Sequence, residues 1–306
     1  ANLLDPMFQG EYRGKARHPA DFDAVLRRAL AAGVERIVVT AGSLQESRDA
    51  LALCEDVVRR AERWPHLFCT VGVHPTRCGD FRADAAGPKA HLADLLAHGW
   101  LMGPGLLVAV GECGLDYERL EFCDRATQLE MLELQIAGLA ARLELPLFLH
   151  CRSPEAATDL LELLQRHRAS LPSPPGVVHS FDGRLEDAER FMALGFYIGL
   201  NGCSLRTAEN LETVRGLPLD RILLETDAPW CSIKATHAGS ALVKSTWEEV
   251  KKPEKWEEGK CVKDRCEPCH LRQVLEVVAG CRGVAPESLA EQVYSNTLSV
   301  FFPSRD

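Results

Sequence analysis

The sequence predicts an α/β protein built as a (β/α)8 barrel. Short apolar runs alternate with longer amphipathic stretches to the end of the chain, which is the rhythm of repeated strand–helix units. Most of these runs lack a two-residue alternation of apolar and polar residues, as expected of parallel strands that are covered on both faces. A side chain of Asp, Glu or His also follows five of the runs, at the end of the barrel where active sites form.

Seven segments have the length and apolar character of strands: residues 36–40, 67–73, 106–111, 145–149, 176–178, 196–200 and 221–225. Helical stretches lie between them at residues 21–32, 44–63, 90–98, 125–143, 154–167, 185–194 and 208–215, and a last pair follows at 271–279 and 287–299. Ser43, Ser153 and Asp187 stand near predicted helix starts, where a side chain can cap free N–H groups. Gly33 and Gly195 stand where helices end, and glycine there allows a left-handed residue.

Seven strand–helix units are one fewer than a closed eight-stranded barrel needs. The chain opens on Ala1-Asn2-Leu3-Leu4-Asp5-Pro6, which is typical of a strand end entering a turn, so we expect the sequence to begin inside a truncated first strand. An open doubly wound sheet is the alternative, but the Gly-rich phosphate loop that usually follows its first strand is not visible. We therefore predict one barrel domain over residues 1–306.

Composition limits the classes of partner. A hydrophobic content of 46% suffices for one large core, and no apolar run approaches the ~18 residues of a membrane span. The net charge of −9 argues against broad electrostatic attraction to nucleic acid. Any phosphate-bearing substrate must then be met by local positive charge, which metal cations supply most readily.

The twelve cysteines lie inside apolar runs, as Cys69 and Cys113 do, or singly in predicted helices. That usage is typical of free thiols in a reducing compartment, so we expect no disulfide bonds and a location inside the cell, in the nucleus or cytoplasm. The group Cys261, Cys266, Cys269 and His270 does not match the spacing of paired Cys-x2-Cys zinc sites, which argues against structural zinc.

A long polar insert over residues 234–265 is the one irregular region of sufficient length to form a functional loop. Its second half carries nearly balanced charge, which favours a solvated loop over a nucleic-acid patch.

Acidic and imidazole side chains recur at the predicted strand ends, namely His74, Glu112, His150, His179 and Asp227. Taken singly, a histidine beside an apolar strand is more often structural than a ligand, and a carboxylate at a strand end is more often a helix cap. Their convergence on one barrel mouth changes this balance. We predict that Glu112, His150, His179 and Asp227 hold one or two divalent metal ions, with His74 beside the substrate. Such ligands suit Zn²⁺, Mn²⁺ or Fe²⁺, and also Mg²⁺ where carboxylates dominate.

Catalytic and substrate roles follow from this placement. Glu112 can bridge two metals, and Asp227 can take a proton from the attacking water. Arg152, two residues after His150, can pair with a phosphate. Asp116 is predicted to orient a histidine ligand or contact substrate, with a turn cap as the alternative. Arg265 and Glu267, at the end of the insert, are predicted to close over the site.

These motifs resemble the signatures of the TatD family of metal-dependent deoxyribonucleases, over essentially the whole chain and in order. The matching segments are Gly72-Val73-His74-Pro75, Gly111-Glu112-Cys113-Gly114-Leu115-Asp116, Leu149-His150-Cys151-Arg152, Val178-His179-Ser180-Phe181, Glu225-Thr226-Asp227-Ala228-Pro229-Trp230 and Glu267-Pro268-Cys269-His270. The resemblance implies a TIM barrel, divalent-metal nuclease activity on DNA, and metal ligands at Glu112, His150, His179 and Asp227. Cys266 departs from the Asn that relatives often carry before Glu-Pro.

Two functions remain open at this point. The first is a DNA phosphodiesterase that uses Mg²⁺ or Mn²⁺, with Zn²⁺ as a further ion for the site, and that prefers single strands because a barrel mouth admits a flexible end. The second is a small-molecule amidohydrolase or lactonase, since the same ligands activate water against a carbonyl.

Overall fold

The computed structural model of the chain describes residues 1–60, 63–84, 86–101 and 103–303. Seven parallel strands form one curled sheet in sequential order. These strands are β1 (Arg36–Val39), β2 (His66–Val71), β3 (Leu107–Asp116), β4 (Leu147–Arg152), β5 (Gly176–Val178), β6 (Tyr197–Leu200) and β7 (Ile222–Leu224). A doubly wound sheet would reverse its strand order midway, so the sequential order supports the barrel and contradicts the open-sheet alternative.

The first residues of the chain bridge the two edges of this sheet. The Ala1 nitrogen donates to the Val38 carbonyl at 3.0 Å, and the Thr40 N–H donates back to the Ala1 carbonyl at 3.0 Å. On the other side, the Asn2 N–H donates to the Ala228 carbonyl at 2.7 Å, just beyond β7. Residues 1–2 therefore occupy the gap between β1 and β7, where a barrel of eight strands has its first strand.

Helices before, between and after the strands cover the outside of the sheet. They are α1 (Phe22–Ala31), α2 (Leu44–Arg59), α3 (Pro88–Leu101), α4 (Arg125–Gln135), α5 (Pro154–His167), α6 (Leu185–Ala193), α7 (Ala208–Gly216), α8 (Leu271–Arg282) and α9 (Pro286–Phe301). Helix α4 continues through a π-helical turn, Ile136–Ala140, to Leu143. The predicted end of α2 at residue 63 extended over residues 61 and 62, which lie outside the described residues.

Helix capping follows the sequence at four of five positions. The Ser43 and Ser153 hydroxyls accept N–H groups of α2 and α5, and Gly33 and Gly195 adopt left-handed conformations after their helices. Asp187 is the exception, because α6 begins at Leu185 and the Asp187 carboxylate instead pairs with Arg184.

The two faces of the sheet carry different residues. One face packs against the helices in a large apolar core, whereas a small cluster of Ala109, Phe148, Val177, Tyr197 and Leu223 joins Val300 on the other face. Alternate residues of a strand share a face, so His150 and His179 lie on the same face as Phe148 and Val177. The His179 ring also stacks on Phe148 at 4.3 Å between centroids. The apolar interior thus ends directly beneath the imidazoles of the mouth.

Two predicted strand ends are wrong in their bounds. Strand β3 runs on to Asp116 and β4 to Arg152, so Glu112 and His150 lie within strands rather than after them. The pairing of β3 with β4 shifts register between Val110 and Cys113, which lets the two strands remain paired into the mouth. Glu112 and His150 are therefore held by strand pairing within the sheet.

The insert is folded onto the body of the protein. Glu249–Val250 and Cys261–Val262 form a short parallel ladder, and the Trp256 indole N–H donates to the buried Asp21 carboxylate at 3.1 Å. No helix among the described residues is long and apolar enough to cross a membrane.

Candidate metal centre

Glu112 lies at the centre of a buried cluster of imidazoles at the carboxyl end of the barrel. One carboxylate oxygen, Oε1, lies 2.8 Å from His150 Nδ1, 2.8 Å from His179 Nε2 and 3.4 Å from His74 Nε2. Ligand atoms of Glu112, His150 and His179 all fall within 4.8 Å of one another, a separation that suits shared coordination of one cation. Three adjacent strands or strand ends supply them, which fixes their relative positions.

A second group shares His150 with the first. His150 Nε2 lies 3.1 Å from Asp116 Oδ2, and the ligand atoms of His74, Asp116 and His150 again lie within 4.8 Å of one another. Asp116 is thus placed to orient His150, and its other oxygen accepts the Glu118 N–H at 3.1 Å. Its predicted substrate contact stays a prediction. The mouth can therefore offer two neighbouring cation positions.

Glu225 is a site residue that the sequence analysis missed. Its Oε1 lies 3.6 Å from His179 Nδ1, a buried atom with no hydrogen-bond partner, and it also accepts the Ser180 N–H. Carboxylates in this position fix the orientation of metal-binding histidines. In the sequence, the one indication of this role is that Glu225 lies two residues before Asp227, so that both residues follow the same strand.

Burial and mutual charge shift the acid–base properties of the cluster. Burial alone would raise the pKa of the Glu112 carboxyl, but His179, His74 and His150 outweigh it and hold that pKa well below its ordinary value. For His179, burial lowers the pKa, yet Glu112 and Glu225 raise it to about 10. Without a metal ion, the Glu112 carboxylate is therefore stabilised by the protonated imidazole of His179. A bound cation would replace that positive charge.

Asp227 lies beside this cluster and not in it. Among the described residues, the groups whose ligand atoms lie within 4.8 Å of one another do not include Asp227. Its backbone has φ of +52°, a left-handed conformation that non-glycine residues rarely adopt and that often marks functional positions. Burial, the main cause, and the neighbouring carboxylates raise the pKa of Asp227, although His179 opposes them.

Two cysteines adjoin Asp227, and the sequence analysis gave neither of them a role. The Cys231 thiol donates to Asp227 Oδ2 at 3.4 Å, and the Cys203 thiol lies 2.9 Å from Cys231 Sγ. Cys231 is four residues after Asp227, whereas Cys203 follows β6, so only the fold reveals the pair. All twelve cysteines of the chain are free thiols in the structure.

Arg152 is at the mouth and is engaged by protein groups. Its guanidinium donates to the Ser180 carbonyl at 2.8 Å, the Ser180 hydroxyl at 2.9 Å and Asp182 Oδ1 at 3.0 Å. Arg152 follows His150 by two residues on β4, so the two side chains leave the same face of the strand. Its predicted phosphate contact stays a prediction.

Arg265 and Glu267 are not at an open surface. Both side chains are almost completely buried, and the Arg265 guanidinium donates to Asp21 at 2.6 and 2.8 Å and to Glu267 at 2.9 Å. Arg28 of α1 donates to Glu267 at 2.7 and 3.0 Å. This network links the end of the insert to α1, and nothing in this geometry supports the predicted substrate contacts of Arg265 and Glu267.

The fold brings Cys261, Cys269 and His270 together, with ligand atoms within 4.8 Å of one another. The Glu267 N–H donates to His270 Nδ1 at 3.1 Å, so a neutral His270 carries its proton on Nε2. A metal ion at Nε2 would have to displace that proton. Hydrogen bonds of the Cys261 thiol with Cys269 and His270 account for the arrangement.

A cavity of about 940 Å³ lies away from the mouth, between β1, α8 and α9, and no residue of the cluster lines it. The candidate site is therefore identified by its ligand chemistry and not by cavity size.

Comparison with known proteins identifies the family. Residues 13–302 match the model for TatD related DNase. The chain is 40% identical to a protein named deoxyribonuclease Tat-D of Schizosaccharomyces pombe, over 98% of this chain and 93% of the relative. It is 32% identical to a 3'-5' ssDNA/RNA exonuclease TatD of Citrobacter rodentium, over 92% of each chain.

A solved structure agrees with this result. The crystal structure of a TatD family hydrolase from Entamoeba histolytica superimposes with a TM-score of 0.90 at 33% identity, over 99% of this chain and 97% of that one. Fold, strand-end residues and sequence thus point to one conclusion: the chain belongs to the TatD family of metal-dependent deoxyribonucleases.

Proposed function

We propose that the protein hydrolyses phosphodiester bonds of single-stranded DNA at the mouth of the barrel, with Mg²⁺ or Mn²⁺ bound by Glu112, His150 and His179. The observation that carries this proposal is the largely buried Glu112 carboxylate, whose Oε1 has three imidazole nitrogens within 3.4 Å. A buried carboxylate is costly unless a positive charge joins it, and a bound cation would supply that charge in place of the imidazole proton. Nitrogen and oxygen donors on a rigid frame fit a divalent cation, with Zn²⁺ as an alternative ion.

The second group, His74, Asp116 and His150, offers an alternative second cation position, at which an ion would take the place of the hydrogen bond between His150 Nε2 and Asp116. A bound divalent ion supplies Lewis-acid stabilisation of phosphate oxygens and lowers the pKa of coordinated water. Asp116 and Glu225 hold His150 and His179 in place from behind, at 3.1 and 3.6 Å. Both carboxylates thereby set which imidazole nitrogen faces the centre.

Asp227 is the proposed proton acceptor. Its raised pKa, due chiefly to burial, brings the carboxylate closer to the range in which a general base is most effective. Its position beside the Glu112 group, rather than within it, leaves its oxygens available to the attacking water. Asp227 can also complete the coordination shell, as its strand-end position suggests.

Arg152 is the proposed phosphate contact, because its guanidinium is a permanent positive charge on the face of β4 that also carries His150. Cleavage of single strands is supported by the bacterial relative, which is named a 3'-5' ssDNA/RNA exonuclease, and by the location of the site at the end of a barrel, which a flexible strand enters more easily than a rigid duplex. We further propose that the protein acts inside the cell, in the nucleus or cytoplasm, because its twelve thiols suit a reducing compartment.

The test compares substrates on metal-depleted protein restored with Mg²⁺ or Mn²⁺. Labelled single-stranded and duplex DNA are assayed beside a panel of lactones and amides, with Glu112→Gln and the exposed-site control Glu118→Gln. We expect metal-dependent cleavage that favours the single strand, loss of metal and activity in Glu112→Gln, and no change in the control. Faster turnover of a lactone or amide than of DNA would overturn the proposal in favour of the small-molecule hydrolase.

A further inference from the structure

The loops that follow β6 and β7 meet at the mouth through a pair of thiols. Cys203 begins the turn after β6, and Cys231 lies four residues after Asp227. Their sulfur atoms are 2.9 Å apart, although the residues are far apart in the chain. Both are half-buried, in contrast to the fully buried Cys54, Cys69 and Cys113, so a small solute can approach them.

The backbones of the two loops are already in contact. A Cβ atom added to Gly202 would lie only 2.0 Å from the Cys231 carbonyl oxygen, so only glycine allows this approach. Disulfide bonds require Cα atoms within roughly 7 Å of each other. Because one loop carries Cys203 next to Gly202, the sulfur atoms can be joined by a small side-chain movement, without travel of either strand.

The pair is connected to the proposed proton acceptor. The Cys203 thiol donates to Cys231 Sγ, and the Cys231 thiol donates to Asp227 Oδ2 at 3.4 Å. Cys231 has φ of +56° and Asp227 φ of +52°, so the short turn between them is conformationally restricted at both ends. A change at Cys231 is therefore transmitted directly to the Asp227 carboxylate.

We propose that Cys203 and Cys231 are a redox modification site, at which hydrogen peroxide forms a disulfide that inactivates the enzyme and a thiol reductant restores it. The inactivating effect rests on the function proposed above for Asp227. The Cys203 thiolate attacks one peroxide oxygen, the O–O bond breaks, and Cys203 becomes a sulfenic acid while hydroxide leaves. The Cys231 sulfur then attacks the Cys203 sulfur, the S–O bond breaks, and water leaves as the disulfide forms.

Two thiols and one peroxide thus yield one disulfide and two waters. The new bond uses the sulfur that had donated its proton to Asp227, so the carboxylate loses a hydrogen bond and Cys231 is drawn towards Cys203. We expect kcat on single-stranded DNA to fall about ten-fold or more, the effect of losing one hydrogen bond to a charged group. KM should change little, because Arg152 is untouched.

The experiment treats the metal-restored protein with hydrogen peroxide and follows two readouts. Intact mass and peptide mapping report a loss of two hydrogens and a Cys203–Cys231 cross-link, and the nuclease assay reports kcat and KM before and after reduction with dithiothreitol. Cys203→Ser, compared with its own reduced activity, should resist inactivation. The matched control Cys281→Ser, which removes a half-buried cysteine at the end of α8, should be inactivated and rescued like wild type.

Absence of the Cys203–Cys231 cross-link after oxidation would overturn the proposal, as would equal inactivation of Cys203→Ser and wild type. A cross-link that forms while kcat stays constant would overturn the regulatory role. If the reduced protein does not cleave DNA while the cross-link forms, the proposed function fails, and the modification site stands on the mass data alone.

Discussion

Two regions bury several charged side chains: the barrel mouth, and the network of Asp21, Arg28, Arg265 and Glu267, called here the base of the insert. Their charges are balanced differently. At the base of the insert, the carboxylates of Asp21 and Glu267 are matched by the guanidinium groups of Arg28 and Arg265 at 2.6–3.0 Å, with a further contact of 3.7 Å. Those four permanent charges cancel. The network is therefore complete without any ligand.

The mouth gathers four carboxylates, of Glu112, Asp116, Glu225 and Asp227, around imidazoles that carry charge only when protonated. Among the described residues, the arginine that forms an ion pair with one of these carboxylates is Arg119. It is largely exposed and lies 3.8 Å from Asp116. Excess negative charge in a buried place is unstable without added cations. The comparison shows that buried charged side chains indicate a ligand site only where the protein does not itself supply the opposite charge.

The largest effect should come from the mouth. Asp227→Asn keeps the shape of the side chain and removes the proposed proton acceptor, so kcat on single-stranded DNA should fall by ~10²–10⁴-fold. Metal content should be largely retained, because Asp227 lies outside the Glu112 group. Kinetics and metal analysis of this variant are compared with Asp220→Asn, an exposed control. Loss of bound metal in proportion to activity would show that Asp227 is chiefly a ligand.

The base of the insert should respond in stability instead. Arg265→Met leaves Asp21 without its main partner and Glu267 with Arg28 alone, and breaking a buried ion pair costs about 3–5 kcal/mol of unfolding free energy. The control is Arg17→Met, whose partner Glu254 is exposed and whose loss should cost about 0–1 kcal/mol. Urea unfolding gives both values. If Arg265 instead contacts substrate, KM for DNA would rise while stability stayed near that of wild type.

The same comparison explains what the sequence could and could not predict. The (β/α)8 class, the positions of the seven strands and the histidines of the mouth were predicted because apolar runs and the polar residues after them are local signals. The limits of β3 and β4 were not, because pairing between neighbouring strands holds Glu112 and His150 in the sheet despite their polarity.

Charge balance is a property of the folded chain, so the sequence alone does not indicate that Arg265 and Glu267 are paired with buried partners. Asp21, which neutralises Arg265, is 244 residues away in sequence. The roles of Glu225 and of the Cys203–Cys231 pair were missed for a similar reason. Each role depends on a residue that follows a different strand, and a motif of consecutive residues cannot include that partner.

Arg152 combines features of both regions, because it lies at the mouth and forms an ion pair with Asp182. Arg152→Ala should weaken DNA cleavage by roughly the 1.5–3 kcal/mol of a charged hydrogen bond and spare hydrolysis of a neutral ester. Asp182→Asn removes its ion-pair partner and leaves the guanidinium in place. Kinetics on both substrates are measured for both variants, with metal content. Equal losses in the two variants would assign Arg152 to structure and not to phosphate.

The smallest effect should be a pH dependence at the start of the insert. Glu276 of α8 accepts the Lys244 and Ser245 N–H groups at 2.7 and 2.9 Å and the Ser245 hydroxyl at 2.5 Å. Burial acts to raise the pKa of Glu276, but these hydrogen bonds outweigh it and lower that pKa below the ordinary 4.5.

A pKa that is lower in the folded state means that the ionised carboxylate stabilises the fold. This stabilisation is fully present above pH ~4.5 and is lost as pH falls through the folded-state pKa. Glu276→Gln should therefore be less stable than wild type by about 1–2 kcal/mol at pH 7, and the two should converge in acid. Urea unfolding at a series of pH values measures the difference, with Glu287→Gln at the start of α9 as the control. A difference that persists unchanged to the lowest pH would mean that Glu276 acts through packing, and that the start of the insert, unlike its base, is not held by charge.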